Sequence, residues 1–495
     1  MKRSDRTLAC LLALSAQLSA CDDQQTSPMM AGEAAGAVMI GGQSPAGSGG
    51  AGLMAGVAAG AEAGASPSAG ARAGGAEAGA EAGAALSGGA VAVAGAEGGV
   101  EGGAEGGAEA SGGAEGSMGG AEPCEFSPPA GEQRVAISYP FSEEIGVDGE
   151  AVQLYRATAD ELEPWGERVI LGFRPAALSF SRDGGWLIAL GERGGLATID
   201  LRAAEPTLHE RFDLPSGSFR SIARHPSEPR FDIPDGNSTE DGGLYTLALS
   251  CTGELELDLP HYPLRLTYTL QRSAEQPEWA IVVGGQARFD PIDEVDLRLF
   301  QERGAAWHEV LGLDLFSDLV DTKGVAFSAS GRWIGVANGS PFSAEGGQTR
   351  LLSVSLDPPA LNEVARFEGL ADARRARFTP LEDRLVITQL EPGLIQLIDQ
   401  REGGWALGEQ LSGLGVADDF AMSAPPPWAS EAEGREVEGA VWLWAPFTSP
   451  SGGSWLARIA LTPGVPALRL SDISLGSGFS SIPGAVDVWG ANLPK

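Results

Sequence analysis

Between Leu178 and Leu201 the chain reads LSFSRDGGWLIALGERGGLATIDL, three short apolar runs separated by the turn-forming stretches SRDGG and GERGG. Each run is too short for a helix. The middle run is apolar on both faces, with Trp186, Ile188 and Leu190 on one side and Leu187 and Ala189 on the other. Such a strand has to be covered twice, as in a sheet stacked between two others. Variants recur as VAFSASGRWIGVANG from Val325, as ARFTPLEDRLVITQLEPGLIQLID from Ala376 and, more loosely, as IARHPSEPRFDI from Ile222. Phe180, Phe327 and Phe378 each precede a polar turn, and a new strand opens about six residues on. A β unit repeating about every 50 residues is the strongest constraint on the fold.

Counting the units gives the architecture. Candidate innermost strands begin near Leu178, Ser221, Leu264, Gly324, Ala373, Ala417 and Ser481, which makes seven units. From Leu178 to Val320 the runs group as quartets: LSF, WLIAL, LATIDL, HERFDL; SIAR, RFDI, LYTLAL, ELELDL; LRLTYTL, WAIVVGG, EVDLRLF, HEVLGLDL. The last unit, SIPGAVDVW, runs out of chain after one strand. The foldable region opens with three strands (RVAISY, AVQLYRA, ERVILGF) that lack an innermost partner. Joining these pieces closes a ring and leaves no sheet edge open at the junction. The expected fold is all-β, a seven-bladed propeller spanning 130–495, with a six-bladed ring or a β-sandwich as the alternatives. The repeat, with its F-S-x-D-G-x-W turn at Phe180–Trp186 and a looser copy at Phe327–Trp333, resembles WD-repeat and YVTN-type propellers. The Trp-Asp and Gly-His signatures of true WD repeats are missing, so the resemblance implies architecture and no particular partner.

The remaining sequence precedes that region. Lys2, Arg3 and Arg6 followed by the apolar Leu8–Leu18 form a signal sequence, too short for a spanning helix of ~20 residues. Leu18-Ser19-Ala20-Cys21 resembles the lipobox of bacterial lipoproteins. That resemblance implies cleavage after Ala20, so that 1–20 is a signal peptide, and acylation of Cys21. Two or three acyl chains anchor a protein durably, whereas one does so only marginally. The implied location is the cell envelope, on the inner or outer membrane, with the membrane itself as a partner.

Residues 21–129 read as a disordered tether. From Ala31 to Glu122 the chain is built of Gly, Ala and Glu, with Glu97, Glu101, Glu105 and Glu109 four apart. Paired glycines and like charges at i,i+4 both oppose a helix. There is too little large apolar surface to offset ordering entropy. A Gly-rich coil of about 100 residues spans roughly 50–60 Å on average. The net charge of −34 argues against nucleic acid, which needs clustered Lys and Arg.

Once Cys21 is acylated and Cys10 is lost with the signal, Cys124 and Cys251 remain in a disulfide-permissive compartment and are expected to bridge. The sequence lacks a G-x-S-x-G elbow, an H-E-x-x-H pair, a phosphate loop and a C-x-x-C. No catalytic residue, cofactor or metal is assigned. His209, His225, His261 and His308 are far apart and read as structural. The loop Asp235, Asn237, Thr239, Asp241 has a Ca²⁺-like spacing but lacks the closing Glu, and Asp290, Asp293, Glu294 and Asp296 read as a charged strand lead-in.

Propellers usually work at the channel mouth, where the connections into innermost strands converge. Here those connections are expected to present Phe219, Arg220, His261, Tyr262, Lys323, Arg374 and Asp419. The expected function is that of a lipid-anchored scaffold binding a protein or a glycan. The alternative is a propeller enzyme of lactonase or lyase type, with its site at the central channel.

Overall fold

The computed structural model describes Phe126, Pro129 and residues 132–489, apart from 140–149, 159–160, 216, 237–241, 265–266, 285–294, 305, 317–321, 339–346, 371, 391–392, 416–418, 449–452 and 477–483. The signal sequence, Cys21, the tether, Cys124 and most of both acidic loops lie outside the described residues.

Seven antiparallel sheets form a ring. From the innermost strand outward, the first blade holds Pro175–Phe180, Trp186–Gly191, Gly195–Asp200 and Thr207–Asp213. The second holds Ala223–Arg224, Arg230–Pro234, Gly243–Leu249 and Leu255–Pro263, and the third Thr267–Arg272, Trp279–Gly284, Leu297–Arg303 and Ala306–Leu313. The fourth is Thr322–Phe327, Trp333–Asn338, Gln348–Leu356 and Pro359–Glu368; the fifth Ala373–Phe378, Arg384–Gln389, Leu394–Arg401 and Gly404–Leu411. The sixth is Ala421–Ser423, Val441–Thr448, Ser454–Leu461 and Leu468–Gly476. The seventh closes the ring: Val486–Trp489, from the end of the chain, pairs as the innermost strand with Gln133–Tyr139, which pairs in turn with Ala151–Ala157. The expected seven-bladed propeller with joined ends is therefore the fold.

The doubly apolar runs have the expected cause. Every residue of Trp186–Gly191 is buried. Trp186, Ile188 and Leu190 pack with Phe231 and Ile233 of the second blade, while Leu187 and Ala189 pack with Val152, Leu154 and Trp165 of the seventh. Each of the seven hydrophobic clusters fills one seam between adjacent blades. The outermost strands meet water; Thr207–Asp213 is largely exposed.

One expected strand is broken. The run ERVILGF contributes only Val169–Ile170, and a second short strand, Leu162–Pro164, occupies the other end of the same partner. Between them Gly166 takes a left-handed φ of 71°, and Trp165 turns inward, where its indole N–H donates to the Ala204 carbonyl at 2.7 Å. Anchoring this Trp in the seam with the first blade displaces the backbone from a continuous ladder.

Candidate functional site: the central channel

The innermost strands all run the same way, so the channel has two distinct ends. At one end, the chain leaves each innermost strand through a tight turn. The SRDGG turn is held by Ser181: its N–H donates to the Trp186 carbonyl (2.8 Å), and its Oγ accepts the Trp186 N–H (2.9 Å) and donates to Asp183 (2.6 Å). Gly184, at φ 72°, supplies the left-handed corner. Ser328 repeats this arrangement toward Trp333; in the fifth blade the Thr379 N–H likewise donates to the Arg384 carbonyl (2.9 Å), but its hydroxyl donates to Asp383 (2.7 Å) and to that same carbonyl (3.3 Å). In the second blade His225 takes the place of serine. Its N–H donates to the Arg230 carbonyl (2.8 Å), and its Nδ1 accepts the backbone N–H groups of Ser227 and Glu228 (3.3 and 3.1 Å). Burial, with Arg272 and Arg230 beside the ring, holds its pKa down at about 3.

Next to His225 lies a dense buried ion network across the seam of the second and third blades. Arg272 pairs with Asp232 and with Glu302 (2.7 Å), and Arg230 pairs with Glu302 and Asp258 (2.9 Å each). Burial opposes ionisation of Glu302, yet hydrogen bonds from both arginines outweigh it and hold the carboxyl below its usual range. Thr246 donates to Asp232 (2.8 Å), and the Arg272 guanidinium lies 4.4 Å from the Trp307 ring centroid. Charges so fully matched to one another form a structural clasp.

At the other end of the channel the chain enters each innermost strand, and here one arginine bridges the opening. Arg375, on the fifth blade, donates through Nη2 to the Arg220 carbonyl of the loop entering the second blade (3.1 Å), and its Nε lies 3.3 Å from Asp419. The second and fifth blades are three places apart in a ring of seven, so this side chain spans the channel. Asp419 also accepts the N–H groups of Phe420 (2.9 Å) and Val486 (3.3 Å), tying the sixth blade to the closing strand.

The residues expected at this mouth divide accordingly. Arg220 and Asp419 are brought together, joined by Arg375. Arg374, next to Arg375 in the same strand, pairs instead with Asp372, the residue just before that strand, at 2.9 Å. Phe219 is fully buried, packed on Tyr245. His261 and Tyr262 belong to the outermost strand Leu255–Pro263, away from the mouth; the Tyr262 ring stands edge-on to Phe300. Lys323 belongs to the innermost strand Thr322–Phe327. Cys251 is disulfide-bonded, and its expected partner Cys124 lies outside the described residues. Asp235 turns back to accept the Ser218 N–H (2.8 Å). Asp296 is buried and accepts the N–H groups of Leu315 and Phe316 (2.9 and 2.8 Å), and burial raises its pKa to about 6.

Three further residues, none among those expected from the sequence, face the channel. Asp487 on the closing strand accepts the Phe180 N–H (2.8 Å), and Arg224 on the second blade donates to the Phe180 carbonyl (3.3 Å). The inward-facing peptide edge of Phe180 thus joins three blades. Arg377 of the fifth blade is within electrostatic reach of both Asp487 and Arg224. Burial drives the Asp487 carboxyl up and the Arg224 guanidinium down from their ordinary pKa ranges. The signal was present in the strand ARRARF: Arg375 and Arg377, two apart, share one face of a strand already placed innermost.

No protein-family model and no curated protein matches the sequence. Solved structures do. A hypothetical selenium-binding protein from Sulfolobus tokodaii aligns with TM-score 0.53 at 11% identity, covering 75% of this chain and 96% of that one. A protein from Lactobacillus plantarum aligns with TM-score 0.51 at 12% identity, covering 72% and 99%. The periplasmic gluconolactonase of Pseudomonas aeruginosa, with TM-score 0.44, 17% identity and coverage of 53% and 76%, overlaps too loosely to bear on function. At such identities the likeness is one of fold, and it agrees with the strand order: the chain carries a seven-bladed β-propeller.

Proposed function

We propose that this chain is an envelope lipoprotein whose propeller acts as a binding head. Residues 1–20 direct export, Cys21 carries the acyl anchor, 21–129 form the acidic tether and 130–495 form the head. The Arg375 bridge is the observation that supports binding at the mouth. With the opening spanned by a side chain fixed between Asp419 and Arg220, recognition falls to the rim, where the Arg220 side chain is exposed. A rim of guanidinium and carboxylate groups suits a protein or a glycan, both of which present polar hydrogen-bonding surfaces.

The test uses the detergent-extracted mature protein. Its binding to an immobilised panel of envelope glycans and to crosslinked envelope proteins is compared with that of Arg220→Ala and Arg375→Ala. A partner lost at least tenfold in both variants supports the reading, and a partner retained by both overturns the rim as the binding surface. A Cys21→Ser variant addresses the anchor. It should move the protein from the membrane to the soluble fraction, and its retention on membranes would refute acylation as the means of attachment.

A further inference from the structure

The turn-side end of the channel holds an arrangement that the rim does not explain. Arg224 is exposed to solvent, yet enough protein surrounds it that desolvation lowers its pKa. Its guanidinium has five N–H donors, and one of them reaches the Phe180 carbonyl at 3.3 Å. Arg377 is partly buried, with its guanidinium 5.6 Å from the Phe420 ring centroid, and among the described residues it has no hydrogen-bond or ion-pair partner. Arg182, exposed at the same end, donates to the Ser227 carbonyl (2.8 Å) and adds a third positive charge felt by Arg224. The nearby carboxylate, Asp487, is engaged with the Phe180 N–H (2.8 Å).

Arg224 thus feels two further guanidiniums, Arg182 and Arg377, against one carboxylate, Asp487, in a chain whose net charge is −34. Holding like charges together in a partly desolvated space is costly unless something compensates them, and concave, low-dielectric walls concentrate the resulting field. The elsewhere thorough pairing of arginines makes the contrast clear: Arg230, Arg272, Arg298, Arg350 and Arg384 all reach carboxylates within 3.0 Å.

We propose that this end of the channel binds a small oxyanion, a phosphate or a carboxylate, between the guanidiniums of Arg224 and Arg377. Planar forks with free donors match the geometry of such anions. The ligand enters from the turn face, since Arg375 spans the opposite opening. Asp487, within electrostatic reach of both guanidiniums, weakens binding by like-charge repulsion and so disfavours a highly charged anion. The site is independent of the rim, and each can fail without the other.

Titration calorimetry on the detergent-extracted mature protein, with inorganic phosphate and with malonate as probes, tests the site. One-site binding of either probe is expected, the preferred probe identifying the anion class. Arg224→Gln and Arg377→Gln should each weaken it about ten- to a hundred-fold. Asp487→Asn should strengthen it, because that change removes a negative charge while keeping an acceptor for Phe180. Absence of binding for both probes, or binding indifferent to both Arg variants, overturns the proposal. Should the variants fail to fold, wild-type crystals soaked in tungstate decide: anomalous density between Arg224 and Arg377 supports the site, and its absence there contradicts it.

Discussion

Asp487 and Phe180 stand 307 positions apart in the chain, and the Asp487 carboxylate accepts the Phe180 N–H at 2.8 Å. The same device joins the third and fourth blades, where Gln271 accepts the Phe327 N–H at 3.1 Å. An innermost strand has one hydrogen-bonding edge with no neighbouring strand, and a side chain from the preceding blade satisfies part of it. Asp487→Ala should therefore lower stability by about 1–3 kcal/mol, the cost of leaving that donor unsatisfied. Asp487→Asn, which retains an acceptor, should recover most of the loss. Denaturant midpoints of the two variants check this.

Ring closure makes a second prediction. Truncation after Ala485 removes Val486–Trp489 and exposes the strand Gln133–Tyr139, whose residues are all buried in the intact ring. The truncated protein should self-associate through that edge, as an unpaired strand does. A synthetic peptide of residues 484–490 should return it to a monomer in size-exclusion chromatography.

The clasp between the second and third blades is sensitive to losing one partner. Arg272→Met leaves Asp232 and Glu302 without their shared cation in a buried site, at a cost of about 3–5 kcal/mol. Arg332→Met, by contrast, removes a largely exposed partner of Glu382 (3.3 Å) and should change stability by less than about 1 kcal/mol. Thermal unfolding of the two variants side by side measures the difference.

Two buried groups give opposite pH dependences. His225 is depressed to about 3, so its contribution is fully present above pH 6.5 and is lost as pH falls through 3. Asp296 is raised to about 6; its contribution is present below its ordinary value of 3.8 and is lost as pH rises through 6. His225→Ser, which installs the residue used in the equivalent turns at Ser181 and Ser328, should flatten the acid side of the stability profile. Asp296→Asn should gain stability relative to the parent above pH 6. Denaturation midpoints from pH 3.5 to 8 read both.

Much of this architecture could be read from local chemistry. Trp186 and Leu187 are both apolar because each faces a different neighbouring blade, and that doubling marks an inner strand in the sequence itself. Ser181, Asp183 and Gly184 carry their turn within a few residues, so the turn was legible too. The channel was harder to read. Arg224, Arg377 and Asp487 come from three blades and meet only through ring geometry. In the run ARRARF, the strand register decides that Arg375, rather than Arg374, bridges the mouth. The apolar run at Leu264 points to an innermost strand starting there, which would put His261 and Tyr262 at the mouth. The preceding outer strand instead continues to Pro263, and the innermost one begins at Thr267.

The intact mass of the protein extracted from membranes with detergent bears most directly on the reading of a tethered, lipid-anchored head. The expected mass is that of a chain beginning at Cys21 with two or three acyl chains added. An unacylated chain, or one beginning anywhere else, would contradict it.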